Sequence, residues 1–308
     1  MTQPGIPNEF SLSTSCYGAR LETIEDQAFA AVAMGFRKLE LGLTHNPVAL
    51  SGFEETRRET GISVVSLVTG CLNPRSDHMS GTKLGSLDPE LRERALLTSR
   101  RHIQVAQQYA CPTVILRGCE VEEPDLVAEA IALKERHAKS TEDTAEEITE
   151  AISDLVARVQ KQGQLQVEHL CRSIHTLRAE FPEIRLAVEP GATFIDILNF
   201  EAMGWVLDDL ARQDLSYWHD SGTVHLRGTS GLPGQGVWLE EYGSRLLGIH
   251  LQDAAYGKAE LPPGLGEVDF RQVADYISCE AEKVVEVNSS HGRSEILASV
   301  QFLIDRGF

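Results

Sequence analysis

Apolar residues in this 308-residue chain follow two alternating patterns. Short runs rich in aliphatic and β-branched residues, bounded by turn-formers, recur between longer stretches with helical spacing. The short runs read as strands at 10–15, 38–42, 62–69, 113–117, 185–189, 215–219, 247–252 and 283–287, eight in all. Helices read at 23–34, 89–109, 200–211, 238–245, 270–280 and 294–305. Gly35 closes the first helix, and Asp88 followed by Pro89 opens the second as cap and first-turn residue.

Strands alternating with helices predict a parallel sheet, and eight such units in a chain of this length predict an α/β fold of the (β/α)8 TIM barrel type. A doubly wound open sheet is the competitor. It would carry a Gly-rich phosphate turn after its first strand, and Ser-Cys-Tyr-Gly-Ala-Arg at 15–20 has no such pattern. The connection after strand four, about 121–181, is oversized and holds an acidic, Ala-rich segment around 141–162. It reads as an elongated helical insertion between strands four and five, with its charged faces in solvent and a possible part in homo-oligomer contacts. No repeat or low-complexity linker interrupts the chain, so residues 1–308 read as a single domain.

The formal charge of −18 disfavours a phosphate backbone as partner, so no nucleic acid is expected. No run approaches 18 apolar residues, and the N-terminal Met-Thr-Gln-Pro-Gly lacks a basic segment followed by an apolar one. The expectation is a soluble, cytoplasmic protein with no membrane partner. Six cysteines (Cys16, Cys71, Cys111, Cys119, Cys171, Cys279) lie scattered without a Cys-x-x-Cys pair, which argues against a thiolate zinc site and for mostly buried, reduced thiols.

In such a barrel the chemistry collects at the carboxyl ends of the strands. Glu189, Asp220, His250 and Glu286 stand at the ends of strands five to eight. Alternation along each strand turns Leu186, Val188, Leu247, Ile249, Leu251, Val285 and Val287 towards the helices, and Glu189, His250, Gln252, Glu286 and Asp220 towards the barrel axis. One strand-end glutamate is ordinarily a surface or ion-paired residue; four such residues of inward parity on successive strands are a site. Three carboxylates and an imidazole converging there repel one another unless a cation sits among them. The oxygen-rich set with one nitrogen suits one divalent metal ion, Mn²⁺, Mg²⁺ or Co²⁺, with zinc also possible.

The Glu, Asp, His, Glu order on these strands resembles the xylose isomerase-like TIM barrel superfamily, in particular its sugar phosphate isomerase/epimerase branch. The resemblance runs through Lys-Leu-Glu-Leu-Gly at 38–42, the stretch 85–95, Gly-Ile-His-Leu-Gln-Asp at 248–253 and Pro-Gly-Leu-Gly-Glu-Val-Asp-Phe at 263–270. It implies a mononuclear divalent-metal site ligated by Glu189, Asp220, His250 and Glu286, with Glu189 and Glu286 also the catalytic acid/base pair. A metal chelating a ketose carbonyl and its neighbouring hydroxyl would acidify the C–H between them and stabilise an enediolate.

The departures are informative too. The family commonly has histidine three residues after the strand-six aspartate, where this chain has Thr223; His225 or His219 would have to replace it. Endonuclease IV-type members carry extra histidines after strand seven, and 255–261 has none, which argues against a trinuclear zinc centre. Arg117 at the end of strand four is a candidate for binding a substrate carboxylate or phosphate, or for pairing with Glu120 or an inward carboxylate. Glu40, His225 and His291 are weaker candidates for substrate contact. Lys38 is expected to form an ion pair inside the barrel. The Gly-rich stretch 228–236 reads as a loop over the barrel mouth rather than a phosphate cradle.

The expected function is a divalent-metal-dependent isomerase or epimerase of a keto-sugar or related polyol, with a small-molecule carbohydrate as substrate. A dehydratase of a keto-inositol or of dehydroshikimate, using the same site, is the alternative. A non-catalytic sugar-binding barrel is the third reading.

Overall fold

The computed structural model describes residues 8–308 apart from 19, 45, 46 and 48, so the N-terminal stretch 1–5 lies outside the described residues. Eight parallel strands close into a barrel: β1 (Phe10–Ser13), β2 (Lys38–Leu41), β3 (Ser63–Val68), β4 (Thr113–Leu116), β5 (Arg185–Val188), β6 (Ser216–Asp220), β7 (Leu246–Leu251) and a last strand, Glu282–Val285. An antiparallel hairpin of β8 (Asp253–Ala255) and β9 (Lys258–Leu261) follows β7, which makes the last barrel strand β10. β10 lies between β7 and β1, so the sheet closes with no edge and the open-sheet alternative is excluded.

The helices are α1 (Ile24–Met34), α2 (Phe53–Thr60), α3 (Pro89–Gln108), α4 (Pro124–His137), α5 (Glu142–Gln162), α6 (Gln164–Glu180), α7 (Phe200–Asp209), α8 (Ser221–Thr229), α9 (Gln235–Tyr242), α10 (Phe270–Ala274) and α11 (Arg293–Ile304). Their ends follow local chemistry. Thr23 accepts the amide of Asp26 at the start of α1, and Gly35 ends that helix at φ 107°, a left-handed conformation that suits glycine. Asp88 caps α3 with Pro89 in its first turn.

Three helices, α4, α5 and α6, connect β4 to β5. On α5, Ile148, Ile152, Leu155 and Val159 form the buried stripe, while Glu146, Glu147, Glu150 and Asp154 face solvent. Among the described residues no helix is long and apolar enough to cross a membrane.

Among the described α-helices and strands, α2, α8 and the β8–β9 hairpin escaped the sequence reading. In α2 only Phe53 and Thr56 are buried within Phe-Glu-Glu-Thr-Arg-Arg-Glu-Thr, too few to set a period. The helix expected at 270–280 stops at Ala274, after which the amides of Tyr276 and Ile277 turn back three residues to Val273 and Ala274. The Gly-rich stretch 228–236 is also not a loop across the mouth. Its ends belong to α8 and α9, and Gly231 lies against α5, where an added Cβ would come within 1.9 Å of Thr149.

Outward-facing strand residues such as Leu39, Leu186, Val188, Ile249 and Val285 join the helices in the main core. Inside the barrel, Val68, Ile115, Ala187, Trp218 and Val284 form a separate apolar layer. Trp218 fills the axis because Gly248 opposite it has no side chain; a Cβ there would fall 2.4 Å from the indole ring. Leu247, expected to face the helices, packs against this inner layer instead. The β6–β7 register slips between Tyr217 and Trp218, so Leu246 and Gly248 are paired and Leu247 is the extra residue. Beneath the layer, at the amino ends of the strands, Lys38 Nζ sits 3.2 Å from Glu282, which also accepts the Ser11 hydroxyl at 2.6 Å, as the ion-pair expectation for Lys38 required.

Candidate active site

Above the apolar layer the strand ends bring Glu40, Glu189, Asp220, His250, Gln252 and Glu286 into one polar cluster. His250 is its centre. It is 2% exposed, with Trp218 edge-on beneath it at 5.3 Å between ring centroids. Its Nε2 lies 3.0 and 3.1 Å from the two carboxylate oxygens of Glu40. A carboxylate only accepts, so Nε2 carries the hydrogen and donates it. Glu40, wholly buried, is itself held by the Ser66 hydroxyl at 2.8 Å.

The second ring nitrogen is left over. His250 Nδ1 is buried without a hydrogen-bond partner, 3.4 Å from Glu189 Oε2 and 3.5 Å from Glu286 Oε2. Donor atoms of Glu189, Asp220 and His250 lie within 4.8 Å of one another, and so do those of Glu40, His250 and Glu286. Two trios thus share the imidazole: His250 with Glu189 and Asp220, and His250 with Glu40 and Glu286.

Asp220 is the last residue of β6 and the cap of α8. Its Oδ1 accepts the backbone amide of Thr223 at 2.8 Å, and its Oδ2 accepts from Gln252 Nε2 at 2.9 Å. The third position after the aspartate, Thr223, here supplies a capping amide. Gln252 Nε2 also reaches Glu286 at 3.2 Å, and its Oε1 accepts the amide of Glu260 at 2.6 Å.

Crowding sets the electrostatics. Burial pushes the Asp220 carboxyl up to about 6, against the opposing pull of His250. Glu286 is raised as well, by burial first and then by Glu40 and Asp220, with His250 opposing. Burial would make His250 a weaker base, but the carboxylates of Glu286 and Glu40 outweigh it and raise its pKa well above the ordinary value.

The donor set fits a divalent cation. Oxygen ligands with one imidazole, a buried nitrogen lacking a partner, and a carboxylate fixing the far side of that imidazole are the recurring features of such centres.

Other sequence candidates lie around this cluster with different partners. Glu40 was expected as a substrate contact, yet its oxygens are engaged by His250 and Ser66. Arg117 follows β4 beside Glu189; its Nη2 donates to the carbonyls of His78 at 3.1 Å and Thr69 at 3.4 Å, while its Nε is buried without a partner. It makes no ion pair with Glu120, whose carboxylate accepts from Thr193. His225 lies within α8, 3.9 Å from Glu267. His291 Nδ1 is 2.8 Å from Glu295 at the start of α11. His219 faces the helices, bound to Tyr217 at 2.7 Å and Gln235 at 2.6 Å, and burial lowers its pKa to about 4.

The sequence reading gave Gln252 inward parity but no role, and it missed the partnership of Glu40 with His250. Asp253, the last residue of the His-x-x-Asp stretch, is no part of the cluster. Its carboxylate accepts four backbone amides at 2.9 Å, from Ala254, Gly264, Gly266 and Val268, and so organises the Pro-Gly-x-Gly turn.

The family model described as xylose isomerase-like TIM barrel matches residues 23–304. Solved structures of similar fold include 3-keto-D-glucoside 4-epimerase from E. coli, at 12% identity and TM-score 0.63 over 96% of this chain and 99% of that one. D-psicose 3-epimerase from Clostridium cellulolyticum H10, solved with D-tagatose, matches at 12% identity and TM-score 0.61 over 97% and 99%. The IolI protein, solved with a zinc atom, matches at 11% identity and TM-score 0.61 over 97% of each chain. No curated protein matches the sequence.

Proposed function

The chain belongs to the xylose isomerase-like TIM barrel family, and from that premise we propose that it is a divalent-metal-dependent isomerase or epimerase of a keto-sugar or related polyol. One observation carries the reading: His250 Nδ1, buried and without a partner, facing Glu189 and Glu286 beside Asp220. The similar folds named as sugar epimerases, and the zinc atom in one similar fold, support it.

Glu189, Asp220, His250 and Glu286 would hold the cation. When bound, it would polarise a substrate carbonyl and the neighbouring hydroxyl and so acidify the C–H between them. The remaining work falls to the protein's own groups. Glu189 and Glu286 flank Nδ1 at nearly equal distances, so a substrate carbon above that position would have a carboxylate on each side. Burial lifts Glu286 towards the operating pH, which suits a group that both takes and returns a proton. Glu40 holds the imidazole in the tautomer that keeps Nδ1 free. Arg117, adjacent to Glu189, would donate to a substrate oxygen through its unpartnered Nε.

The test is a screen of ketoses and inososes in heavy water with the Mn²⁺- or Co²⁺-loaded protein. Exchange of a substrate C–H for deuterium with a rearranged or epimerised product is the expected outcome. Failure to bind any divalent cation would overturn the reading. A conjugated, ultraviolet-absorbing product would replace it with the dehydratase, and sugar binding without exchange would replace it with a binding protein.

A further inference from the structure

We infer that Gln252 is the positioning residue that sets the spacing of Asp220 and Glu286 and ties both to the β8–β9 hairpin. This rests on the reading of those two carboxylates as cation ligands. Gln252 is 3% exposed, and its amide nitrogen donates one hydrogen to Asp220 Oδ2 and the other to Glu286 Oε2. Its amide oxygen takes the backbone N–H of Glu260.

The orientation of this amide is forced. Flipping it would set its oxygen against two carboxylates and its NH2 against an N–H. Among side chains of this length only an amide offers two donors on one atom and an acceptor on the other. Glutamate would face two carboxylates with a third, and lysine could not accept from Glu260.

The support around it is built in. Ser221 Oγ bonds both the amide and the carbonyl of Gln252, and Gly222 leaves the space its side chain fills, since a Cβ there would lie 2.8 Å from Oε1. The hairpin side is equally specific. Four described non-glycine residues have positive φ. Ala110, Asp214 and Tyr256 lie at helix ends or the hairpin tip, whereas Glu260, at φ 60°, lies inside β9. That strained conformation aims its N–H at Gln252 and lets its carbonyl accept the Asn288 amide at 2.7 Å, two residues past Glu286. One amide therefore connects the ends of β6 and β10 with the hairpin that follows β7.

The experiment is calorimetric titration of the chelator-stripped full chain with Mn²⁺ and with Co²⁺. Two variants are compared with the parent: Gln252→Met, which keeps length and volume without the amide, and Gln252→Asn, which keeps the amide one methylene short. The expected result is affinity lowered by roughly 10- to 100-fold and a changed Co²⁺ visible spectrum in each variant that retains the parent's circular dichroism. Glu260→Gly, which keeps the N–H and accepts the positive φ, should bind within about threefold of the parent, the spread expected when the contact is left intact. Parental affinity in a folded Gln252 variant would overturn the inference while leaving the metal reading intact. A parent that binds neither cation would overturn both. A tenfold loss in Glu260→Gly would move the role to the Glu260 carboxylate.

Discussion

The two ends of the barrel interior treat charge in opposite ways. At the floor, Lys38 and Glu282 neutralise each other, Ser11 completes the shell, and solvent reaches the pair. At the mouth, Glu40, Glu189, Asp220 and Glu286 surround one imidazole, with Arg117 beside Glu189 but tethered to backbone carbonyls. The apolar layer around Trp218 separates them. The floor is arranged for stability of the chain as it stands, while the mouth gathers like charges that the proposed cation would offset. That contrast follows the division of labour in such barrels, with chemistry at the carboxyl ends and structural pairing at the other.

Breaking the mouth should therefore cost chemistry without costing the fold. Glu189→Gln and Glu286→Gln are each expected to slow substrate hydrogen exchange by about 10²- to 10⁴-fold, the usual worth of an acid/base group. Metal-free Glu286→Gln should melt no lower than the parent, since it removes a buried carboxylate. A sharp fall in its melting temperature would erase the contrast.

A smaller effect is expected one step back from the reacting groups. Glu40→Gln should weaken Mn²⁺ affinity by about 10- to 100-fold, because a neutral amide no longer fixes the imidazole hydrogen on Nε2. Calorimetry on the stripped protein measures this directly.

pH separates the two ends next. Asp220, at about 6, and Glu286, raised by burial, bind protons more tightly folded than unfolded. Stability from that proton uptake is full below the ordinary carboxylate range and is lost as pH rises through the raised values. The metal-free protein should accordingly melt lower at pH 8 than at pH 5.5. Cation affinity should run the other way, rising roughly tenfold or more over the same interval as the ligands give up their protons.

The smallest effect belongs to the floor. Lys38→Met should cost no more than about 1 kcal/mol of stability, the usual limit for a partly exposed ion pair, and leave cation affinity unchanged. A change in affinity there would show that the two ends communicate through the apolar layer.

The strands, the barrel and the inward parity of Glu189, Asp220, His250, Gln252 and Glu286 were legible because period-two alternation is local and strong. Leu247 defeated the same rule, since a register slip between β6 and β7 depends on how two strands meet, which neither strand encodes alone. α2 was invisible because its face is charged. The pairing of Glu40 with His250 spans 210 positions and crosses the barrel mouth, so nothing in either neighbourhood announces it. Thr223 looked like a missing side chain, whereas it serves Asp220 through its backbone amide and its hydroxyl, without an imidazole.

Asp253 draws a different boundary. The stretch most easily spotted in the sequence, His-x-x-Asp followed by Pro-Gly-x-Gly-Glu-x-Asp, owes its recognisable look to one carboxylate gathering four amides and to Gly266, where a Cβ would lie 2.4 Å from that carboxylate. In this chain the acid and that glycine hold the corner, whatever reaction the mouth performs. Apart from His250 and Gln252, the stretch is thus a mark of architecture: it shows how the corner is assembled and is silent about what the barrel converts. Corner and chemistry rest on different residues here, and a replacement in the ring around His250 could redirect the second without disturbing the first.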